Sequence, residues 1–277
     1  MASGSPDDRD NLDGLATAAH DGARGAGDGR SLGKSAARSV VLALDHVSKR
    51  FGALCVTDDL SLSVAAGETL GILGPNGAGK TTLFNLITGD LRADSGRITF
   101  EGHDITGQPP HRRCRLGIGR SYQIPRPFAG MTVFENLVAA ACFGAGQREA
   151  ATYEPAVRIL SETGLLAQAN RRAGSLTLLD RKRLELARAL ATRPRLLLLD
   201  EIAAGLTELE ASALAEDLRR IKARGTTMIW IEHVVHALLA VADRLVVLHL
   251  GRQVADGAPS AVMNDAEVKR VYMGPDA

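Results

Sequence analysis

The sequence predicts an α/β fold built on a mostly parallel sheet covered by helices on both faces. Three stretches carry that prediction. "TLGILG" (Thr69 to Gly74) is nearly all apolar and runs straight into a glycine-rich turn and a helix-patterned "TLFNLI". "PRLLLLDE" (Pro194 to Glu201) holds four consecutive leucines that end on two acids. "TTMIWIEH" (Thr226 to His233) is a third apolar run that ends on an acid and a histidine. A strand with both faces covered loses the in/out alternation of a half-exposed strand and reads as a continuous apolar run.

The elements follow in order. Residues 1–39, rich in Gly, Ala, Asp and Arg, carry almost no large apolar side chains and are expected to form a disordered tail. Such a segment buries too little surface to offset its ordering entropy. Order is expected to begin at "VVLALDHVSKRF", where the alternation suggests an edge strand. "LSLSVAAGETLGILG" supplies two further strands, separated by the "AAGE" turn. Apolar residues three and four apart mark helices in "VFENLVAAACF", "EPAVRILSETGLL" and "DRKRLELARALAT", with "GAGQREAA" as a flexible link. After Gly251 a strand turn and a helix are expected, and no internal repeat is visible.

"GPNGAGKTTLFNLITG" matches the phosphate-loop pattern G-x-x-x-x-G-K-S/T at Gly74, Gly79, Lys80 and Thr81. Glycines allow backbone N–H groups to curl around phosphate oxygens, and a helix starting near Lys80 adds its positive end. The loop residues Gly74, Pro75, Asn76, Gly77, Ala78, Gly79, Lys80, Thr81 and Thr82 are therefore expected to bind a nucleotide. Lys80 would reach the β- and γ-phosphates, and the Thr81 hydroxyl would ligate Mg²⁺. Asp200, at the C-terminal end of its strand where open α/β sheets bind ligands, is the second expected Mg²⁺ ligand. Glu201 could then polarise the attacking water as general base. His233 could reach a γ-phosphate from the third strand or be structural; Trp230 reads as core.

Bulk composition narrows the function. The 277 residues are 45% hydrophobic and 23% charged, ordinary for a soluble globular chain, with length for one or two domains. A net charge of +1 gives no field that would draw nucleic acid, and no nucleic-acid partner is expected. Three scattered cysteines fit neither a disulfide framework nor a zinc site and point to a reducing cytosol. No apolar run nears the roughly 20 residues of a membrane span, and the start has no signal-peptide core.

The ordered set of Phe51, the phosphate loop, "SYQ" with Gln123, "ELARAL", "LLLLDE" and "IEH" resembles the ATP-binding cassette (ABC) ATPases over roughly residues 41–277. That resemblance implies a P-loop NTPase fold: a RecA-like core at about 40–122 and 195–250, with an antiparallel β edge. It also implies an inserted α-helical subdomain at about 123–194 and a C-terminal extension at 251–277. By the same resemblance Phe51 stacks on adenine, unless it is a core aromatic. Gln123 senses Mg²⁺ and the γ-phosphate near a membrane partner, unless it is a simple loop amide, and His233 is a switch histidine.

The stretch from "SGRITFEGHDITG" to "MTVFENL", and the "VYMG" near the end, are similar to the ATP-binding subunits of branched-chain amino acid, urea and amide importers. Such a subunit implies ATP and Mg²⁺ and a second ABC ATPase subunit in a homo- or heterodimer. It also implies two transmembrane permease subunits, a solute-binding protein and a place on the cytoplasmic face of the membrane.

One stretch departs from the family. Where the family carries "LSGGQ", which serves the ATP of the opposite subunit, this chain has Leu176, Thr177, Leu178, Leu179 and Asp180. Ile202 and Thr207 also depart, from a proline and an Asp or Asn. Thr177 and Asp180 are still expected to contact nucleotide, and Thr177 can cap a helix whose first turn favours an acid. A leucine in place of glycine crowds a phosphate, and the Asp180 charge repels it unless Arg181, Lys182 or Arg183 compensates. Two functions follow: the ATPase of an importer, or a nucleotide-binding regulatory subunit with little hydrolysis.

Overall fold

The computed structural model describes residues 39–273. The tail expected over residues 1–39 falls, but for Ser39, outside the described residues, as does the end of the chain beyond Met273. Among the described residues two sheets form. The first has the order β2-β1-β4-β5, with β1 at Val40–Phe51, β2 at Leu54–Ala65, β4 at Ser95–Phe100 and β5 at His103–Asp104. All its pairings are antiparallel. The expectation of an edge position for β1 is corrected, because β1 lies between β2 and β4. An antiparallel sheet with one solvated face alternates in every strand, so alternation reports exposure of a face and not position in the sheet.

The second sheet has the order β10-β9-β3-β8-β7-β6. Its strands are β3 (Thr69–Leu73), β6 (Ile118–Arg120), β7 (Leu196–Asp200), β8 (Thr227–Ile231), β9 (Arg244–His249) and β10 (Arg252–Gly257). The pairs β6–β7, β7–β8, β8–β3 and β3–β9 are parallel, and β10 closes the edge antiparallel to β9. Every residue of β3, β7 and β8 is buried. Alternate leucines of β7 face opposite ways. Leu196 and Leu198 join a core with Leu83, Phe84, Leu86 and Ile87, all on helix α1 (Lys80–Thr88). Leu197 and Leu199 join a core with Leu214, Leu218 and Ile221 of helix α6 (Glu208–Lys222). The same one-residue alternation puts Trp230 in the second core, fully buried.

A third core joins α3 (Val133–Gly144), α4 (Tyr153–Glu162) and α5 (Leu178–Ala191). Val133, Leu137 and Ala141 recur every four residues on α3 and meet Leu160, Leu184 and Ala187. Between α1 and β6 lies α2 (Pro110–Leu116). A capping box of Thr132 and Glu135 starts α3, and Thr207 with Glu210 starts α6 in the same way. "GAGQREAA" is more ordered than a flexible link: a 3-10 turn spans Glu149–Thr152, closed by Thr152 Oγ1 donating to Glu149 O at 2.6 Å. After β9 and α7 (Val235–Leu239), β10 leads into two short helices where one was expected, α8 (Pro259–Asn264) and α9 (Ala266–Met273). β8 stops at Ile231, so Glu232 and His233 stand in the loop beyond it.

Candidate functional site: a phosphate loop facing two acids

The loop from Gly74 to Gly79 joins β3 to α1. Two glycines are required by close approach. A Cβ at Gly74 would stand 2.3 Å from the Leu248 carbonyl oxygen, and one at Gly79, where φ is 99°, would stand 2.5 Å from the Val56 carbonyl oxygen. Ala78 N–H donates to Pro75 O at 3.2 Å and Leu83 N–H to Gly79 O at 2.8 Å, which folds the loop into the first turn of α1. No side chain caps α1. Among the described residues, the N–H groups of Lys80, Thr81 and Thr82 have no hydrogen-bond acceptor. A fan of free N–H groups at a helix N-terminus favours an anion through both hydrogen bonding and the helix dipole.

Lys80 is buried, and its Nζ donates to Gly74 O at 2.6 Å and Pro75 O at 3.1 Å. Burial lowers its pKa, while Glu201 and Asp200 pull it up. A cavity of about 180 Å³ is lined by residues 76–82, Val56 and Glu201. Free N–H groups, a cradle closed to Cβ atoms and a buried ammonium fit a polyphosphate. The Thr81 hydroxyl, the Asp200 carboxylate and the Gln123 amide are hard oxygen donors of the kind Mg²⁺ takes.

Glu201 is the meeting point. Its φ of 47° is left-handed, unusual for a side chain with a Cβ. That backbone is held because Glu201 N–H donates to Ile231 O at 2.9 Å and its carbonyl accepts from Lys182 Nζ at 3.2 Å. The carboxylate receives Gln123 Nε2 on one oxygen at 2.5 Å and faces His233 Nε2 on the other at 2.6 Å. Three residues from distant parts of the chain thus converge: Gln123 after β6, Glu201 after β7 and His233 after β8. Asp200, 4% exposed, pairs instead with Arg120 Nη2 at 2.8 Å.

Phe51 is not on the lining of this cavity. It ends β1 at a tight hairpin, half-exposed, with Lys49 Nζ 5.6 Å from its ring centroid. Thr177 and Asp180 also lie off the lining, at the start of α5. Thr177 Oγ1 accepts from Asp180 N–H at 3.2 Å, so the helix cap is intact. None of the three cations that could compensate Asp180 pairs with it. Arg181 Nη2 donates to Gly174 O at 3.0 Å, Lys182 to Gln123 O at 2.7 Å, and Arg183 pairs with Asp217 at 3.0 Å. Each cation is held by another acceptor, and Asp180 has no ion-pair partner among the described residues. The two substituted residues further on are absorbed: Ile202 is fully buried and Thr207 caps α6.

Sequence reasoning passed over three residues. Arg120 sits one strand from Asp200 in the parallel register Arg120↔Leu198. Lys182, 3% exposed, ties α5 to the backbone of Gln123 and of Glu201, although the sequence offered it only as a counter-charge for Asp180. Glu232, 1% exposed, accepts from Ala203 N–H at 2.8 Å and from its neighbour His233 N–H at 3.3 Å. Burial pushes its pKa up to about 7. The available signal for Glu232 was a charge placed directly after four apolar residues.

A second, larger cavity of about 490 Å³ lies behind the site, between α3, α5 and β6, and is lined by Arg120, Tyr122, Phe128, Phe143, Glu185 and Arg188 among others. Phe143 is 85% exposed, and Arg188 stacks over Phe128 with 5.2 Å to the ring centroid. Burial raises the pKa of both Glu185 and Tyr122.

Comparison with known proteins agrees with this geometry. Residues 57–204 match the family model described as ABC transporter. The chain is 36% identical over 251 residues to the high-affinity branched-chain amino acid transport ATP-binding protein LivG of Salmonella typhimurium, covering 84% of this chain and 98% of that protein. It is 36% identical over 234 residues to the lipopolysaccharide export system ATP-binding protein LptB of Haemophilus influenzae, covering 84% and 97%. Among solved structures, the ADP conformation of an ATP-binding cassette of an ABC transporter matches with a TM-score of 0.79 and 35% identity, covering 85% of this chain and 99% of that one. A phosphate loop, a paired Asp and Glu and a facing histidine, in a chain so matched from end to end of its relatives, belong to the ABC transporter family, of which this chain is an ATPase subunit.

Proposed function

We propose that this chain binds MgATP and hydrolyses it to drive uptake of branched-chain amino acids or related small acids or amides. The observation that carries the reading is the convergence of Gln123 and His233 on the Glu201 carboxylate beside the phosphate loop. The N–H groups of Lys80, Thr81 and Thr82 would receive the phosphates, and Lys80 would leave the loop carbonyls for them. Thr81, Asp200 and Gln123 would hold Mg²⁺, which neutralises charge between the terminal phosphates when bound. Glu201 orients the attacking water and takes its proton, and His233 steadies the carboxylate and the γ-phosphate. Phe51 would stack on adenine. Positioning and charge stabilisation supply most of the acceleration.

A nucleotide core at about 40–122 and 195–250, with a helical subdomain at about 123–194, is part of this proposal. So is a second ABC ATPase subunit, identical or different, whose nucleotide would meet Thr177 and Asp180. Two permease subunits would dock in the cavity beside Gln123 and residues 124–128 at the cytoplasmic face, fed by a solute-binding protein. Exposed Phe143 and Phe128 support a partner there. Among the described residues no helix is long and apolar enough to cross a membrane.

The unpaired Asp180 and the two leucines beside it favour a second reading, a regulatory subunit that binds nucleotide and hydrolyses little. The experiment is phosphate release and radiolabelled leucine uptake in vesicles carrying the whole transporter, with Glu201→Gln in this chain as control. Release and inward leucine movement that both collapse in the control support the importer motor. Equal release with and without Glu201 overturns it for the second reading, and ATP-driven movement outward overturns the import direction.

A further inference from the structure

The pairing of Asp200 with Arg120 is not needed by the chemistry above, and it has a consequence for the metal. Both side chains are nearly buried, 7% exposed for Arg120 and 6% for Asp200, with Nη2 2.8 Å from Oδ2. The guanidinium is anchored on its other sides. Nη1 donates to Asn85 Oδ1 at 2.6 Å and lies 3.4 Å from Asp90 Oδ2. Its plane is flanked by the rings of Tyr122 and Phe84, with centroids at 4.9 Å and 5.6 Å. Nε has no hydrogen-bond partner within the described residues, so the group is held by its two terminal nitrogens and the two rings. A guanidinium fixed in this way cannot swing aside cheaply.

Both acids at the site therefore already have partners without nucleotide. Asp200 is matched by Arg120, and Glu201 is engaged by Gln123 and His233. A divalent cation that approaches Asp200 in the protein alone must compete with a guanidinium at hydrogen-bond distance. Bound phosphates add several negative charges and reverse that balance.

Resting on the reading of Asp200 as a metal carboxylate, we propose that Arg120 is a positioning residue that makes cation binding at Asp200 conditional on bound nucleotide. A fixed positive charge at hydrogen-bond distance repels a divalent cation by more than the thermal energy even at the dielectric of water, and an effect of about tenfold or more follows. The guanidinium also keeps Asp200 in one orientation, ready for a metal that arrives with the phosphates.

The test uses Mn²⁺ as an EPR-visible probe, titrated into the purified full chain with and without a non-hydrolysable ATP analogue, and reads the protein-bound signal. The wild-type chain is expected to bind Mn²⁺ about tenfold or more weakly without the analogue. Arg120→Gln is expected to strengthen nucleotide-free binding by about tenfold or more, Arg120→Lys to return it toward wild type, and Asp200→Asn combined with Arg120→Gln to abolish the gain. Unchanged nucleotide-free binding in folded Arg120→Gln overturns the proposal. Wild-type protein that binds Mn²⁺ equally with and without the analogue overturns it as well, and that arm does not depend on any variant folding. If Asp200→Asn keeps full Mn²⁺ binding in the analogue complex, the metal role of Asp200 fails and the proposal falls with it. A defective Asp200→Asn beside an unchanged Arg120→Gln removes the proposal alone.

Discussion

The phosphate loop and the start of α5 are both helix N-termini expected from the sequence to meet a phosphate, yet the chain treats them differently. In the loop, a Cβ at Gly74 or Gly79 would collide with backbone carbonyls 2.3 and 2.5 Å away. Those glycines are held by the chain's own packing, whatever binds there. At the start of α5, Leu178 is half-exposed, and a Cβ built on Gly205 would lie 3.5 Å from its Cδ2. Nothing in the fold opposes leucine there, because helix formation asks only for the Thr177 cap. Glycine in the loop is thus a demand of folding and binding together, while glycine at α5 would serve only a partner's phosphate. At the start of α5 the departure from the family pattern fell on half-exposed and partly buried residues, while at Ile202 it fell in the core.

Four predictions can break or sharpen this comparison. The largest effect belongs to the intact side. Glu201→Gln is expected to lower ATP turnover by about 10²–10⁴-fold, the range of a lost general base, while equilibrium binding of labelled ATP is retained. Turnover within a few-fold of wild type would show that the converged Gln123, Glu201 and His233 do not act together.

Next comes Glu232, whose carboxyl goes from an ordinary value of 4.5 to about 7 on folding. A folded pKa above the unfolded one contributes stability that is fully present below about 4.5 and is lost as pH rises through about 7. That difference carries about 3 kcal/mol. Glu232→Gln should flatten the decline in melting temperature between pH 4.5 and pH 7 seen in the wild type. An equally steep decline in the variant would assign the titration to another group.

The third addresses α5 directly. Replacing Leu178, Leu179 and Asp180 with Gly, Gly and Gln removes an unpaired charge. A like charge near a phosphate costs about 1 kcal/mol even at the dielectric of water, so phosphate release at the partner's site should rise about fivefold or more. Release that stays flat in single-turnover measurements would mean the leucines and Asp180 are neutral for the partner's nucleotide. The smallest effect is on stability alone. Thr177→Ala should cost about 1 kcal/mol through the lost cap and lower the melting temperature by about 2–4 °C in a calorimetric scan.

Much of the molecule was legible from local pattern. The buried strands β3, β7 and β8 read as apolar runs because both faces are covered, and α3, α4 and α5 showed their three- and four-residue spacing. Gly74, Gly79, Lys80 and Thr81 were readable because the loop's groups come from consecutive residues, so its chemistry is written within one short stretch. The position of β1 was not legible, since alternation reports a solvated face and is silent on which strands lie to either side.

Amino-acid sequence alone determined the loop, the adjacent acids at the end of β7 and the cap of α5, each a matter of neighbours along the chain. Tertiary structure decided what those groups face. Gln123 and His233 reach Glu201 because β6, β7 and β8 lie side by side in parallel and end at the same edge. Arg120 claims Asp200 across one strand spacing, and Lys182 abandons Asp180 for two backbone carbonyls made available only when α5 packs against the sheet. Charges choose partners by distance and burial in space, and both quantities are set by strand order and helix packing between residues far apart in the chain.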